Sequence, residues 1–261
     1  MQSELQICDK DGNIKASGSG EEVCLVYEGS YEQGDTIRIH PKDVPGNYLL
    51  QLDDVGGTAI VYLTGDVTYE LPFGEKRTNL SPRMFAGELH LLTLKKYPDY
   101  LQNGYRNLAK NVWDQHDLTN CYPHAVANVE TRGEAVFAAQ NAIDGVTANA
   151  GHGEWPYASW GINRQDDAMI TIDFGREVLV DRLVIYTRAD FPHDNWWTKV
   201  SFTFSDGSEL EWEMEKQTLP HELTFEPKCI TSLTMHDMKK ADDPSPFPAL
   251  TQLEVYGTEQ K

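Results

Sequence analysis

Residues 168–190 read AMITIDFGREVLVDRLVIYTRAD. Two runs rich in Ile, Val, Leu and aromatic residues flank a polar Gly-Arg-Glu segment, and neither run keeps a helical period. The stretch is predicted to form two strands joined by a turn at DFGRE, and this pattern decides the fold class. KVSFTFSDG (199–207), ELEWEME (209–215), SLTMHD (232–237) and TQLEVYG (251–257) follow in the same style. On the N-terminal side EEVCLVY (21–27), GDTIRIH (34–40), NYLLQLDD (47–54), TAIVYLTGD (58–66) and ELHLLTLKKY (88–97) are short, β-branched and bounded by turn residues. TIRIH alternates apolar and polar positions, as a strand with one wet face does. Only EAVFAAQNAIDG (134–145) reads as helical, and it is long enough for a turn or two. Many short strands with frequent turns imply an all-β protein of antiparallel sandwiches.

The chain has 261 residues, comfortable for two domains of ordinary size. A boundary is expected near KKYPDYLQNGYRN (95–107), where a strand runs out into Pro, Gly and Asn. This gives an N-terminal β-sandwich over 1–104, of jelly-roll type and unassigned role, and a second sandwich over 105–261. All six Trp (113, 155, 160, 196, 197, 212) and six of the eight His lie beyond the boundary, so the chemistry is sought there.

Lys and Arg number 22 against 41 Asp and Glu, a net charge of −19 spread through both halves. That field repels nucleic acid and anionic lipid, so neither is an expected partner; neutral or cationic ones fit. No run approaches the roughly 20 apolar residues of a membrane span. The N-terminus, MQSELQICDKDG, lacks a basic and then apolar leader, so the expectation is a cytoplasmic protein or a chain without its export signal. Cys8, Cys24, Cys121 and Cys229 show no paired spacing and are expected to be reduced, with a Cys8–Cys24 bridge open to them in an oxidising compartment.

Six pieces in order carry a family resemblance: YRNLAKNV (105–112), AQNAIDGVTAN (139–149), SWG (159–161), MITIDFG (169–175), VDRLVIYTR (180–188) and LTQLEVYG (250–257). The series resembles the discoidin, or coagulation-factor type C, domain and the family 32 carbohydrate-binding modules that share its galactose-binding-like fold. The resemblance covers 105–261 and implies an eight-stranded jelly roll. The scaffold carries several functions, so the site must decide among them. The resemblance also implies a structural calcium beside the AIDG turn, held by Asp144, backbone oxygens around Asn141 and Thr147, Asn149, and the terminal strand near Thr251 and Gln252. Calcium favours six to eight oxygens, carboxylates among them. Gln252 stands where many relatives place an acid, which lowers the site's charge by one.

Two loops, GHGEWPYASWG (151–161) and RADFPHDNWW (188–197), are too rich in Gly, Pro and Asp for strands yet hold four Trp. Sugar recognition needs an aromatic face against the C–H face of a ring, with planar polar groups pairing to hydroxyls. Trp155, Tyr157, Trp160, Arg188, Asp190, His193, Asp194, Asn195, Trp196 and Trp197 supply that set, so noncatalytic binding of a neutral glycan is the expectation. The rivals are a protein-interaction or self-association module, and a carbohydrate-active enzyme with an acidic cleft between the domains. No nucleophile elbow, P-loop or dinucleotide fingerprint occurs. WDQHDLTNCYPH (113–124) lacks the ligand spacing of a zinc site.

Overall fold

A computed structural model describes residues 2–260. Nearly all the regular structure is antiparallel strand. The strands are β1 Ser3–Cys8, β2 Ile14–Gly20, β3 Glu22–Glu28, β4 Thr36–His40, β5 Gly46–Gln51, β6 Ala59–Leu63, β7 Val67–Glu70, β8 Leu89–Lys96, β9 Arg106–Asn107, β10 Cys121–Tyr122, β11 His124–Ala127, β12 Trp160–Gly161, β13 Ile170–Thr187, β14 Trp197–Phe204, β15 Glu209–Glu213, β16 His221–Lys240 and β17 Ala249–Glu259. No helix among the described residues is long and apolar enough to cross a membrane.

The first half is a sandwich of two sheets, β2-β1-β4-β7 and β10-β6-β5-β8-β3. Alternation builds it: β3 buries Val23, Leu25 and Tyr27 and exposes the residues between. Leu5, Ile7, Ile37 and Ile39 of one sheet share a core with Leu25, Leu50, Val61, Leu92 and Leu94 of the other. That core does not stop at residue 104. Trp113, Leu118 and Cys121 belong to it, and β10 adds a strand to its second sheet against Tyr62 and Leu63. Trp113 is fully buried, donates from Nε1 to the Leu50 carbonyl at 3.0 Å and rests against Gly56. A Cβ on Gly56 would come within 2.3 Å of the indole, so glycine is required there.

The second half wraps eight strands around a separate core of Trp160, Ile170, Ile172, Phe174, Trp197, Phe202 and Leu253 with their neighbours. DFGRE is not a turn. β13 runs through it from Ile170 to Thr187 as one strand, with a register break between Asp173 and Val178 and Gly175 at φ 66°. Its first part pairs with β11 and its second part with β17, while β16 follows it throughout. The 134–145 stretch makes two short 3-10 turns, Ala135–Phe137 and Ala139–Ile143. Arg106 and Arg176 converge on Glu259, at 2.5 and 2.6 Å, and tie the chain's entry into this sandwich to its last strand. All four cysteines are free; Cys8 is buried and Cys24 exposed, so no Cys8–Cys24 bridge forms.

Candidate functional site

The expected aromatic cluster divides. Trp160 and Trp197 are fully buried core side chains and offer no face to a ligand. They flank the two loops, and Trp160 begins β12 while Trp197 begins β14. Trp155 and Tyr157 are partly exposed, but Trp155 lies over a small pocket with Tyr69, Met84 and Asn141, and its N–H donates to the Thr78 carbonyl at 3.1 Å. That places it at the junction of the two halves. Trp196 is half-buried with the Lys216 ammonium 4.6 Å from its ring centre.

What the loops do assemble is a cleft of about 420 Å³ at the end of β13 and the start of β17. His152, Arg188 and His193 line it from the two loops, joined by Thr131, Arg132, Phe137, Asn163, Arg164 and Phe247. Gly161 closes one wall, and a Cβ there would meet Thr131 Oγ1 at 2.6 Å. Arg132, Asn163 and Arg164 hold left-handed φ values of 55°, 49° and 62°. Such conformations cost free energy in residues other than glycine and cluster at binding and catalytic sites. Three of them on one cleft single it out.

Aromatic faces stack along the cleft. The His152 and His193 rings lie parallel at 3.8 Å, His193 stacks on Phe247 at 5.6 Å, and the Arg164 guanidinium sits 4.6 Å from the Phe247 centre. Asp194 braces the row from below. It is fully buried, and its Oδ1 accepts from Arg188 Nε at 2.8 Å and lies 3.0 Å from His193 Nδ1. Its Oδ2 accepts the Asp190 N–H at 2.8 Å, which closes the loop on itself. Asp190 pairs with His152 at 2.5 Å. Asn195 is buried, and its amide donates to the Ala241 carbonyl and caps the Trp196 N–H. Asp194 and Asn195 therefore shape the loop from within, whereas Arg188 and His193 reach the cleft.

Charge in the cleft is largely paired at source. Arg188 faces Asp194, Arg132 forks onto Glu134 at 2.5 and 2.7 Å, and His152 faces Asp190. Arg164 is left stacked on Phe247. His152, Asp190 and His193 bring one ligand-type atom each within 4.8 Å of one another, but the two rings are stacked face to face and both Nδ1 atoms already meet carboxylates.

The residues expected to hold calcium are engaged with one another and with backbone carbonyls. Asn149 turns its amide to the Thr187 and Thr218 carbonyls, and Thr147 is exposed. The Asn141 carbonyl, Asp144 Oδ1 and the Thr251 carbonyl do converge, at 2.5, 2.6 and 2.7 Å, on the side-chain nitrogen of Gln252. The Thr251 hydroxyl is buried with no hydrogen-bond partner. As arranged, this group does not fit a resident calcium, because its centre is an amide nitrogen and offers no lone pair.

His116, Cys121 and His124 go separate ways: His116 to Glu130, His124 to the buried Asp114, and Cys121 into the first core.

Arg132, Phe137, Asn163, Arg164 and Phe247 escape the sequence reading. One signal was there for Phe247: in SPFPAL it sits between two prolines, where no central strand can form, so an aromatic is presented on a loop.

No protein-family model matches this chain, and no curated protein does. Solved structures do match it. Chitosan-binding module 1 of a chitosanase/glucanase from Paenibacillus sp. IK-5 is 19% identical over 58% of this chain and 98% of its own, with a TM-score of 0.41. The family 32 carbohydrate-binding module of NanJ from C. perfringens, solved with galactose, is 22% identical over 51% of this chain and 91% of its own, at 0.40. The lectin domain of lectinolysin, solved with Lewis B antigen, is 18% identical over 58% of this chain and 96% of its own, at 0.41. Each likeness spans little more than half of this chain.

Proposed function

We propose that the second sandwich binds a neutral glycan, without catalysis, in the cleft between His152, His193, Phe247 and Arg188. The observation that carries this reading is the stacked row of His152, His193 and Phe247 beside two guanidinium groups. A pyranose ring has an apolar C–H face and a rim of hydroxyls. Phe247 and His152, the exposed ends of the row, suit the face, and Arg164 and Arg188 donate to the rim. Asp194 engages Nε and Nη2 of Arg188 and leaves Nη1, whose contact to Ser159 Oγ is long at 3.5 Å. Because Arg132, Arg188 and His152 are already paired with carboxylates, a neutral ligand asks for no counter-charge from them, whereas an anionic one would have only Arg164 to meet it.

The test is a glycan-array screen of the labelled chain, followed by titration of the best binder against Phe247→Ala and Trp155→Ala. Phe247→Ala is expected to weaken binding by about tenfold or more, the loss of roughly 1.4 kcal/mol. Trp155→Ala is expected to bind as the parent does. Equal affinity of Phe247→Ala and the parent would overturn this placement of the site.

A further inference from the structure

We propose that the Gln252 side chain stands in for a cation at the turn after Ile143, so that this sandwich is closed by an internal amide and gains nothing from calcium. Gln252 lies on β17, is 1% exposed, and reaches across to the turn that begins at Asp144. Three oxygens from separate places converge on its Nε2: the Asn141 carbonyl at 2.5 Å, Asp144 Oδ1 at 2.6 Å and the Thr251 carbonyl at 2.7 Å. Convergence of several oxygens on one point is how a cation is held. Here the point is a nitrogen bearing two hydrogens and fixed to the chain.

The orientation of the amide is determined. Oε1 accepts the Gly145 N–H at 2.9 Å. Rotating the amide by half a turn would set NH2 against N–H on one side and oxygen against three oxygens on the other. Both changes cost hydrogen bonds in a buried place. The amide therefore holds the position as a donor, and its oxygen is not free to become a ligand.

A bound calcium would do two things here, tie β17 to the turn and supply positive charge beside Asp144. Gln252 does the first through its hydrogen bonds to the Asn141 carbonyl, Asp144 Oδ1 and the Gly145 N–H. Lys110 does the second: its side chain lies so close to the turn that a Cβ on Gly145 would meet Cε at 2.6 Å and Nζ at 3.1 Å. An amide and an ammonium thus divide the work of one ion.

The experiment is thermal melting of the whole chain in a chelator and in millimolar calcium, alongside Gln252→Glu and Gln252→Met. The parent is expected to melt at the same temperature in both buffers. Gln252→Glu sets a second carboxylate against Asp144, so it is expected to melt lower in chelator and to recover by about 3 °C or more when calcium is added. Gln252→Met keeps the length and removes the donor, and is expected to melt lower by the same amount in both. A parent whose melting temperature rises with calcium, or which takes up calcium stoichiometrically after chelator treatment, would overturn the proposal. So would a folded Gln252→Glu that ignores calcium. If Gln252→Glu does not fold, the parent and Gln252→Met decide, since a calcium-dependent rise in either one contradicts an amide that fills the site.

Discussion

Arg188 and Asp194 meet through Nε and Oδ1 at 2.8 Å, with the Arg188 side chain 5% exposed and the Asp194 side chain not exposed at all. Both charges are out of water, and each is tolerable only because the other is there. Removing one partner of a buried pair leaves an uncompensated charge, which costs about 3–5 kcal/mol. Asp194→Ala is therefore expected to lower stability by that amount in a denaturant titration. Asp194→Asn, which keeps an acceptor for the Asp190 N–H but not the charge, is expected to fall between it and the parent. Asp194 also holds His193 and the loop from Asp190, so Asp194→Asn should weaken glycan binding even where the protein is fully folded.

The two fully buried tryptophans separate packing from binding. Trp160 donates from Nε1 to the Val129 carbonyl at 2.9 Å, whereas Trp197 Nε1 is buried without a partner. Phenylalanine in either place leaves a small void, but only at Trp160 does it also orphan a carbonyl. Trp160→Phe is expected to cost about 1–3 kcal/mol, and Trp197→Phe about 1 kcal/mol less, since it removes an unsatisfied donor. Paired chemical-denaturation curves measure the difference, and glycan affinity should be unchanged in both.

The strands were legible where a residue's burial follows from its neighbours two positions away. TIRIH and EEVCLVY alternate and form β4 and β3. The polar β2, IKASGSG, carries no such signal, since it is an edge strand largely without core residues. DFGRE misled for a physical reason: a bulge uses the same left-handed glycine that a turn does, so Gly175 marks either. At the cleft, the sequence singled out two of the loops that line it but not the direction of their side chains. A Trp-Trp pair puts one ring inward and one outward at most, and here Trp197 went to the core. Arg132, Arg164 and Phe247 come from three further segments, and only folding brings them to His193.

Acidity at the surface yields a pH dependence with a definite sign. His116 Nε2 lies 2.6 Å from Glu130, and that hydrogen bond raises the imidazole pKa above its usual 6.5, against a smaller opposing effect of burial. A pKa raised by folding contributes stability that is complete below the unfolded value and is lost as the pH climbs through the folded one. The parent is expected to lose melting temperature between about pH 6 and pH 8 more steeply than His116→Gln. The side chain is more than half exposed, so the difference between the two slopes should be small and should shrink with added salt. Parallel slopes at low salt would show that the pair contributes nothing.

The first sandwich is completed by residues beyond the apparent linker. Trp113 is buried among Tyr69, Phe85 and Gly56, and Leu118 and Cys121 extend the same core before β10 joins the sheet edge. A fragment ending at residue 104 would leave a cavity the size of an indole and expose the β6 edge. Loss of a core Trp alone costs about 3–5 kcal/mol, a large part of the stability of a domain this small. The fragment 1–104 is therefore expected to show no cooperative melting transition, and the fragment 1–123 to show one. Hydrogen exchange on the two fragments is the direct check: slow amides in β5 and β6 should be seen only in the longer one. Gly56→Ala in the whole chain, where the new methyl would press on the Trp113 ring, is expected to mimic the truncation in part, lowering the stability of the first sandwich while glycan binding by the second persists.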